Sequence, residues 1–412
     1  MTAQALAEDV SGSGPVRWDL VGLALVVTLS LTDLSVASVG NVPVTLFLIA
    51  CVVAVPRFLL RWNTSLEWFG VRPLALWIVI NYGLNLGAAK GVSVVYSFIF
   101  LAAFLTIANC QKLISRESFA AALRLIIAAY FVNVLISRVL VLAGAPDDFL
   151  GFLFHRAIDT REGVGLRYYG FSSEPSYAAF IVVACFVSLR QLSPANDRRR
   201  LLIYAAMVAY QLILFASVYG YLLGLATAVA EMYRVMRRGT FLVVITLVAS
   251  TALVMDFQGE GRFEHLASAA ATQDIDGIAD LHVIDSSLFL RTAPAIEYVQ
   301  SANLTSPDFW VGHGAMTSTS KYTDMFAGWI GEDDSFMASF LPGFFYDYGL
   351  IGGMLVILLI LRRAGQRVFS LPNLVLFAVV FNASFNTQLF WFVIAIFVIT
   401  KRLAQQPVAL PT

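Results

Sequence analysis

The stretch RYYGFSSEPSYAAFIVVACFVSLR, Arg167 to Arg190, holds the reading on which the fold turns. It opens on an arginine among polar and aromatic residues, turns at Glu174-Pro175, then runs from Ser176 to Leu189 without a charge before closing on Arg190. Proline suits the first turn of a helix, because its missing N–H has no partner there, and Ser173 or Glu174 then falls at the cap. A helix that starts at a polar boundary and ends on an arginine has the punctuation of a membrane span.

The whole chain has the same character. Of its 412 residues 59% are hydrophobic and 13% charged, with a mean hydropathy of +0.77. Soluble domains are roughly half apolar and about a quarter charged. The composition therefore predicts an all-α polytopic integral membrane protein with the lipid bilayer as its solvent. Twenty-seven basic residues balance 27 acidic ones, so net charge gives no basis for a nucleic-acid partner, and only the distribution informs. Cys51, Cys110 and Cys185 lie in or beside apolar runs, and three cannot pair evenly, so they read as buried small hydrophobes. The start, MTAQALAEDVSGSGPVRWDL, reads as a short cytoplasmic tail and not a cleaved signal peptide.

Apolar runs of spanning length fall near 18–37, 41–60, 73–89, 91–110, 120–144, 175–190 and 338–361, with others between. Residues 201–233 would be ~50 Å long as one helix, too long for a single span, and Tyr219-Gly220-Tyr221 offers a break that makes a tight hairpin. The polar FNASFNTQ, Phe381–Gln388, likewise splits 369–400 into two spans. The total is about 12. Residues 1–17 form a tail, 18–144 spans one to five, 145–174 an outer loop, 175–256 spans six to nine, 257–337 a long outer loop, 338–402 spans ten to twelve, and 403–412 a second tail.

Lysine and arginine test this layout, because they gather at the cytoplasmic ends of spans. With both termini inside, Arg17, the Arg57–Arg72, Lys112–Arg124, Arg190–Arg200, Arg234–Arg238 and Arg362–Arg367 clusters, and Lys401-Arg402 all fall on one side. Eight basic residues remain: Lys90, Arg138, Arg156, Arg161, Arg167, Arg262, Arg291 and Lys321. Most lie in two outer segments rich in Asp and Glu, where topology gives an arginine no reason to be. Each either pairs with one of those acids or serves function.

Loops as long as the second outer segment usually carry function or a small fold of their own. Its LFLRTAPAIEYVQSA pattern predicts a helix bearing Arg291 near the membrane surface. His155, His265, His282 and His313 are scattered, and neither a paired metal-ligand motif nor a phosphate-cradling glycine loop occurs. ATP-driven chemistry is not expected. In the opening stretch, the helix N-terminus with Arg161 and Arg167 would make an anion site at headgroup depth, with Glu174 as a base beside it. The alternative is structural: an Arg167–Glu174 pair beneath a capped helix.

RYYGFSSEPSYAAF, VGHG around Gly312 and Gly314, and YDYGLIGG from Tyr346 to Gly353 together resemble the Wzy-type polymerases of the O-antigen polymerase and ligase superfamily. The resemblance covers the topology of most of the chain but only short motifs within it. It implies a GT-C-like membrane glycosyltransferase in a bacterial inner membrane, with its active site facing the periplasm, using neither metal nor cofactor. Such an enzyme moves a growing glycan from undecaprenyl diphosphate onto the next lipid-linked repeat unit, in company with a chain-length regulator and a flippase. Carried over residue by residue, the resemblance puts Arg167 and Arg291 on the diphosphate, and the positions of Arg161, Arg138 and Tyr177 make them further candidates for holding diphosphate and glycan. Glu174, Asp334 and His313 become the catalytic candidates. Ligases of the superfamily carry a histidine before the late span, where this chain has Asp333-Asp334-Ser335. An O-antigen ligase and a lipid flippase or transporter are the alternatives, although no internal repeat of the transporter kind occurs.

Arg138 stands apart on physical grounds. It lies inside an apolar run, where a charge needs a polar cavity or a partner. Asp347, at comparable depth in its own segment, is one candidate partner, and the diphosphate pocket is the other.

Overall fold

The computed structural model describes residues 17–32, 34–39, 42–60, 68–144, 158–161, 165–193, 197–215, 217–235, 286–326, 338–365 and 370–406. Its helices, in chain order, are α1 Trp18–Ser30, α2 Leu46–Leu60, α3 Trp68–Leu84, α4 Gly91–Cys110, α5 Arg116–Leu142, α6 Pro175–Leu192, α7 Arg198–Phe215, α8 Val218–Val235, α9 Ser286–Gln300, α10 Pro307–Val311, α11 Thr317–Phe326, α12 Phe345–Arg363, α13 Leu371–Asn382 and α14 Gln388–Gln405. A π-helical turn, Phe340–Phe344, leads into α12. Among the described residues α4, α5, α6, the α12 segment and α14 are long and apolar enough to cross a membrane. Helical architecture and apolar length together make this a helical membrane protein. The expected ninth span, which ends at 256, falls in 236–256 and lies outside the described residues.

Two helices form the axis of the bundle. From Ala178 to Leu189 every α6 side chain is buried, and α14 is buried from Leu389 to Ile399. They pack on each other, and α5, α7 and α8 close around α6. The outer helices are apolar too but leave one face open. Only 33% of the α5 spanning window is buried against 83% of α6, and Leu125, Val132, Leu135, Ile136, Val139 and Leu142 stand exposed. Aliphatic surface of that extent is stable against lipid and not against water.

The basic clusters gather at one end. Arg116 Nε donates to Leu192 O at 2.7 Å, joining the start of α5 to the end of α6. Arg402 donates to Lys112 O and Lys401 to Arg362 O, which ties the ends of α14, α4 and α12 together. The described residues at the opposite end are largely polar and uncharged. There Asn386 joins Ser93 and Ser97 at the start of α4, and Gln388 reaches Thr45.

Helices dominate the described residues, as the all-α membrane class requires, while two short hairpins and one shifted break add detail to the expected layout. β1 (Ser35–Val39) pairs antiparallel with β2 (Val42–Thr45), so the first span ends at Ser30 and the second begins at Leu46. Val39 pairs with Val42 across Gly40-Asn41, a two-residue spacing and composition typical of hairpins. The outer loop at 145–174 contains a second hairpin, β3 (Ile158–Arg161) with β4 (Gly165–Tyr168). In 201–233 one helix ends at Phe215 and the next begins at Val218, ahead of Tyr219-Gly220-Tyr221, with the Ser217 hydroxyl accepting from Gly220 N at the start of α8. Gly220 is instead a packing residue: a Cβ there would lie 2.8 Å from Ala179 Cβ, so its absence lets α8 press against α6.

Candidate functional site

Two polar groups are built at the end of the bundle opposite the basic clusters. The first surrounds the start of α6. Pro175 occupies the first helical position and Glu174 the cap position, as the sequence predicts, but neither Ser173 nor Glu174 caps the helix through its side chain. Glu174 Oε2 instead accepts from Ser176 Oγ at 2.9 Å, which holds a half-buried carboxylate at the helix start. The preceding turn is fastened to the end of α1: Ser172 Oγ lies 3.1 Å from Thr32 Oγ1, and Ser173 N donates to the same hydroxyl. Tyr177 follows in the first turn, half-buried against the core.

Arg167 stands on β4, with Asp159 as its register partner on β3, and Arg161 closes β3 opposite Gly165. The strand carrying Arg167 packs on α7. Tyr168, the next residue, is buried, and burial pushes its phenol up while the positive charge of Arg138 pulls it down. Arg138 therefore lies within electrostatic reach of this strand. The expected Arg138–Asp347 pair does not form: Arg138 Nη1 donates to Tyr210 Oη on α7 at 3.1 Å. Among the described residues its partner is this phenol on the adjoining helix, so the helix packing chooses it.

The second group joins the late motifs. Gly312, at φ +87°, and Gly349, at φ +68°, press backbone against backbone. A Cβ on Gly312 would lie 2.4 Å from Asp347 O, and one on Gly349 only 2.2 Å from Trp310 O, so both positions require glycine. This contact fixes VGHG on the first turn of α12: His313 N donates to Tyr346 O at 3.0 Å and Gly314 N to Asp347 O at 2.9 Å. The His313 ring stacks on Tyr346 with centroids 4.1 Å apart, and its Nε2 lies 4.0 Å from Asp308 Oδ2.

Asp347 is buried and fully engaged. Oδ1 accepts from Ser318 N at 2.7 Å and Thr317 Oγ1 at 3.2 Å, and Oδ2 from Met316 N at 3.0 Å. A carboxylate on a spanning helix thus caps the separate helix α11. Its partner is the set of free N–H groups at a helix start.

Arg291 lies on α9, as its amphipathic pattern predicts, and α9 packs on the Phe340–Phe344 turn. Glu297, further along α9, pairs with Lys321 of α11 at 3.0 Å, and Lys321 Nζ sits 4.7 Å from the Tyr346 ring centre. Burial pushes the neighbouring Tyr322 phenol up, and the Glu297 charge adds to it. Neither Glu297 nor Tyr210 stands out in the sequence; Lys321 does, as a basic residue without a topological role. A cleft bounded by Ser318, Thr319, Phe344, Asp347, Tyr348 and Asn386 opens between α11, the π-turn and the α13–α14 turn.

Glu174 and Tyr177 thus stand together at the start of α6, Arg138 lies within electrostatic reach of the Arg167 strand, and His313 shares Tyr346 with Lys321, the partner of Glu297 on the Arg291 helix. Asp334 lies outside the described residues. Hydrogen bonds through Gln388–Thr45, Asn386–Ser93 and Lys90–Ala315 run across the end of the bundle from the α2 start to the second group. Compared with known proteins, the chain matches no family model and no curated protein.

Proposed function

We propose that the protein is a polysaccharide polymerase that transfers a growing undecaprenyl-diphosphate-linked glycan onto a lipid-linked repeat unit, at the outer face of a bacterial inner membrane. One observation carries this reading. The Pro175 helix has at its cap Glu174, seven residues after Arg167, whose strand packs on α7, and α7 in turn packs on that helix. Under the charge rule the end of the bundle away from the basic clusters is periplasmic, both termini are cytoplasmic, and about 12 spans surround the site in a GT-C-like arrangement.

The chemistry follows from the groups present. The bond between the anomeric carbon and the diphosphate oxygen breaks, and an acceptor hydroxyl on the incoming unit takes the glycan. Forked guanidinium groups suit the departing diphosphate, since they match phosphate geometry and stay charged, which is the role given to Arg167 and Arg291. Glu174 receives the acceptor proton in this scheme, and the N-terminal dipole of α6 favours the anion. His313, stacked and hydrogen-bonded, is better suited to shaping the loop than to shuttling protons.

The test is genetic and direct. Removing the gene from its host should collapse the surface polysaccharide ladder to single repeat units. A ladder of normal length that stays on the lipid carrier would instead favour the ligase, and accumulation on the cytoplasmic face a flippase.

A further inference from the structure

The segment 303–312, between α9 and α11, is closed on itself. Asn303 Oδ1 accepts from Thr305 N, Asn303 O from Ser306 N, Ser306 Oγ from Asp308 N, Ser306 O from Phe309 N and Asp308 O from Gly312 N. The Trp310 indole N–H donates to Leu304 O at 3.0 Å, which brings those two residues together. With these donors bonded inside the segment, entering a medium poorer in water costs it few hydrogen bonds. Its two large apolar side chains are nevertheless turned outward: Leu304 is 66% exposed and Trp310 44%.

The same segment is fastened to two apolar helices. The Trp310-Val311 backbone presses on Gly349 of α12, and Val311 O accepts from Asn81 Nδ2 of α3 at 2.7 Å. On α3, Leu76, Ile80 and Leu84 stand exposed at four-residue spacing, along one face, and on α12 Ile351, Met354, Leu358 and Leu361 make a similar stripe. Those faces are the ones the bilayer covers. Asn81 lies three residues before the end of α3, so its bond holds Val311 level with the last turn, within about 5 Å of Leu84 along the axis. Leu304 and Trp310 therefore continue the lipid-facing surface outward, at the depth where hydrocarbon gives way to headgroups.

We propose that Leu304 and Trp310 rest in the outer leaflet, at the boundary between headgroups and acyl chains, and so hold the VGHG backbone at a fixed height in the membrane. A tryptophan whose N–H is already engaged presents only its apolar ring, which suits that boundary. Asp308 and His313, 4.0 Å apart, give the segment a polar side for the headgroups. Residues 303–312 include neither lysine nor arginine, so the occupant is the leaflet itself and not a chosen phosphate. Neither the proposal nor its test depends on the polymerase reading.

The test places a fluorescent dye on the full chain in phosphatidylcholine nanodiscs, through Leu304→Cys, Trp310→Cys or, as the aqueous reference, Ser320→Cys at an exposed position of α11. Cys51, Cys110 and Cys185 are buried, and the parent carried through the same labelling supplies the blank. Dyes at 304 and 310 should be quenched by aqueous iodide at least about threefold less than the dye at 320, as befits groups about 5–10 Å into the headgroup–acyl boundary. A lipid nitroxide near the headgroup should quench them more than one deep in the acyl chain. Adding Trp310→Asp to Leu304→Cys should bring iodide quenching at 304 up to the reference level. If that double variant fails to fold, the two singly labelled variants carry the test. Iodide quenching at 304 and 310 equal to that at 320 overturns the proposal. Shielding from iodide and from both nitroxides overturns it as well, because a protein surface would then be the cover. Stronger quenching by the deep nitroxide refutes the boundary placement, and unchanged shielding of 304 beside Trp310→Asp refutes the part given to Trp310 in setting the height.

Discussion

Replacing Asp347 tests whether one carboxylate fastens the outer helices to the membrane bundle. Its two oxygens accept three hydrogen bonds, from Met316 N, Thr317 Oγ1 and Ser318 N, and the side chain is 7% exposed. Bonds to a charged acceptor contribute about 1.5–3 kcal/mol each but are not additive within one network. A loss of about 3 kcal/mol for Asp347→Ala is therefore a conservative figure, equivalent to on the order of 10²-fold in a local opening equilibrium. Hydrogen exchange read by mass spectrometry over peptides covering 312–322 should accelerate by that factor, while peptides from α6 and α14 keep the parental rate. Asp347→Asn retains one acceptor oxygen and should cost about 1–2 kcal/mol, with the smaller acceleration concentrated at whichever amide loses its partner. Parental exchange at 312–322 in Asp347→Ala would refute the anchoring role.

Three further outcomes are expected. Cysteines placed near Thr160 and Gln300 should react with a membrane-impermeant maleimide in whole cells, and ones near Asn196 and Gln366 should not; labelling at 196 in intact cells sinks the topology. Arg291→Ala should stop chain extension at normal protein abundance, and an Arg291→Lys variant that polymerises like the parent removes the forked phosphate contact. Arg167→Ala and Glu174→Ala should each lower the polymerisation rate on the order of 10²-fold or more, and the exchanged pair Arg167→Glu with Glu174→Arg should not recover; recovery of polymer shows a structural pair instead.

Spanning helices were legible because their signals are local. Pro175 after Glu174, the charge-free run to Leu189 and Arg190 at its end fixed α6 from the sequence alone, and Phe381–Gln388 marked the α13–α14 turn. The β1–β2 hairpin was hidden by its own composition, since valines flanking Gly40-Asn41 read equally as a continuation of the first apolar run. Tyr219-Gly220-Tyr221 misled for a related reason: the glycine serves a neighbour in space, Ala179, and not the chain's direction. At the candidate site, the partners were the illegible part. Asp347 is satisfied by backbone amides some thirty residues away, which carry no side-chain signature, and Arg138 by a tyrosine on another helix. Lys321 had twelve acids in its own segment to choose from, and only the packing of α9 and α11 on the Phe340–Phe344 turn selects Glu297.

The burial of α6 bears on how the molecule is made. Its chief partner, α14, leaves the ribosome long after it, and both helices are less apolar than the peripheral ones, with hydropathy 1.4 against 2.2 for α4 and 2.3 for α5. During synthesis the central helix must therefore wait in the bilayer with its packing face turned to lipid or to a membrane insertase. Of the helices made before it, α5 can shelter it in part. Completion of the core is then the last act of biogenesis, so a ribosome stalled before α14 leaves a membrane-inserted but unsealed bundle, a natural substrate for membrane proteolysis.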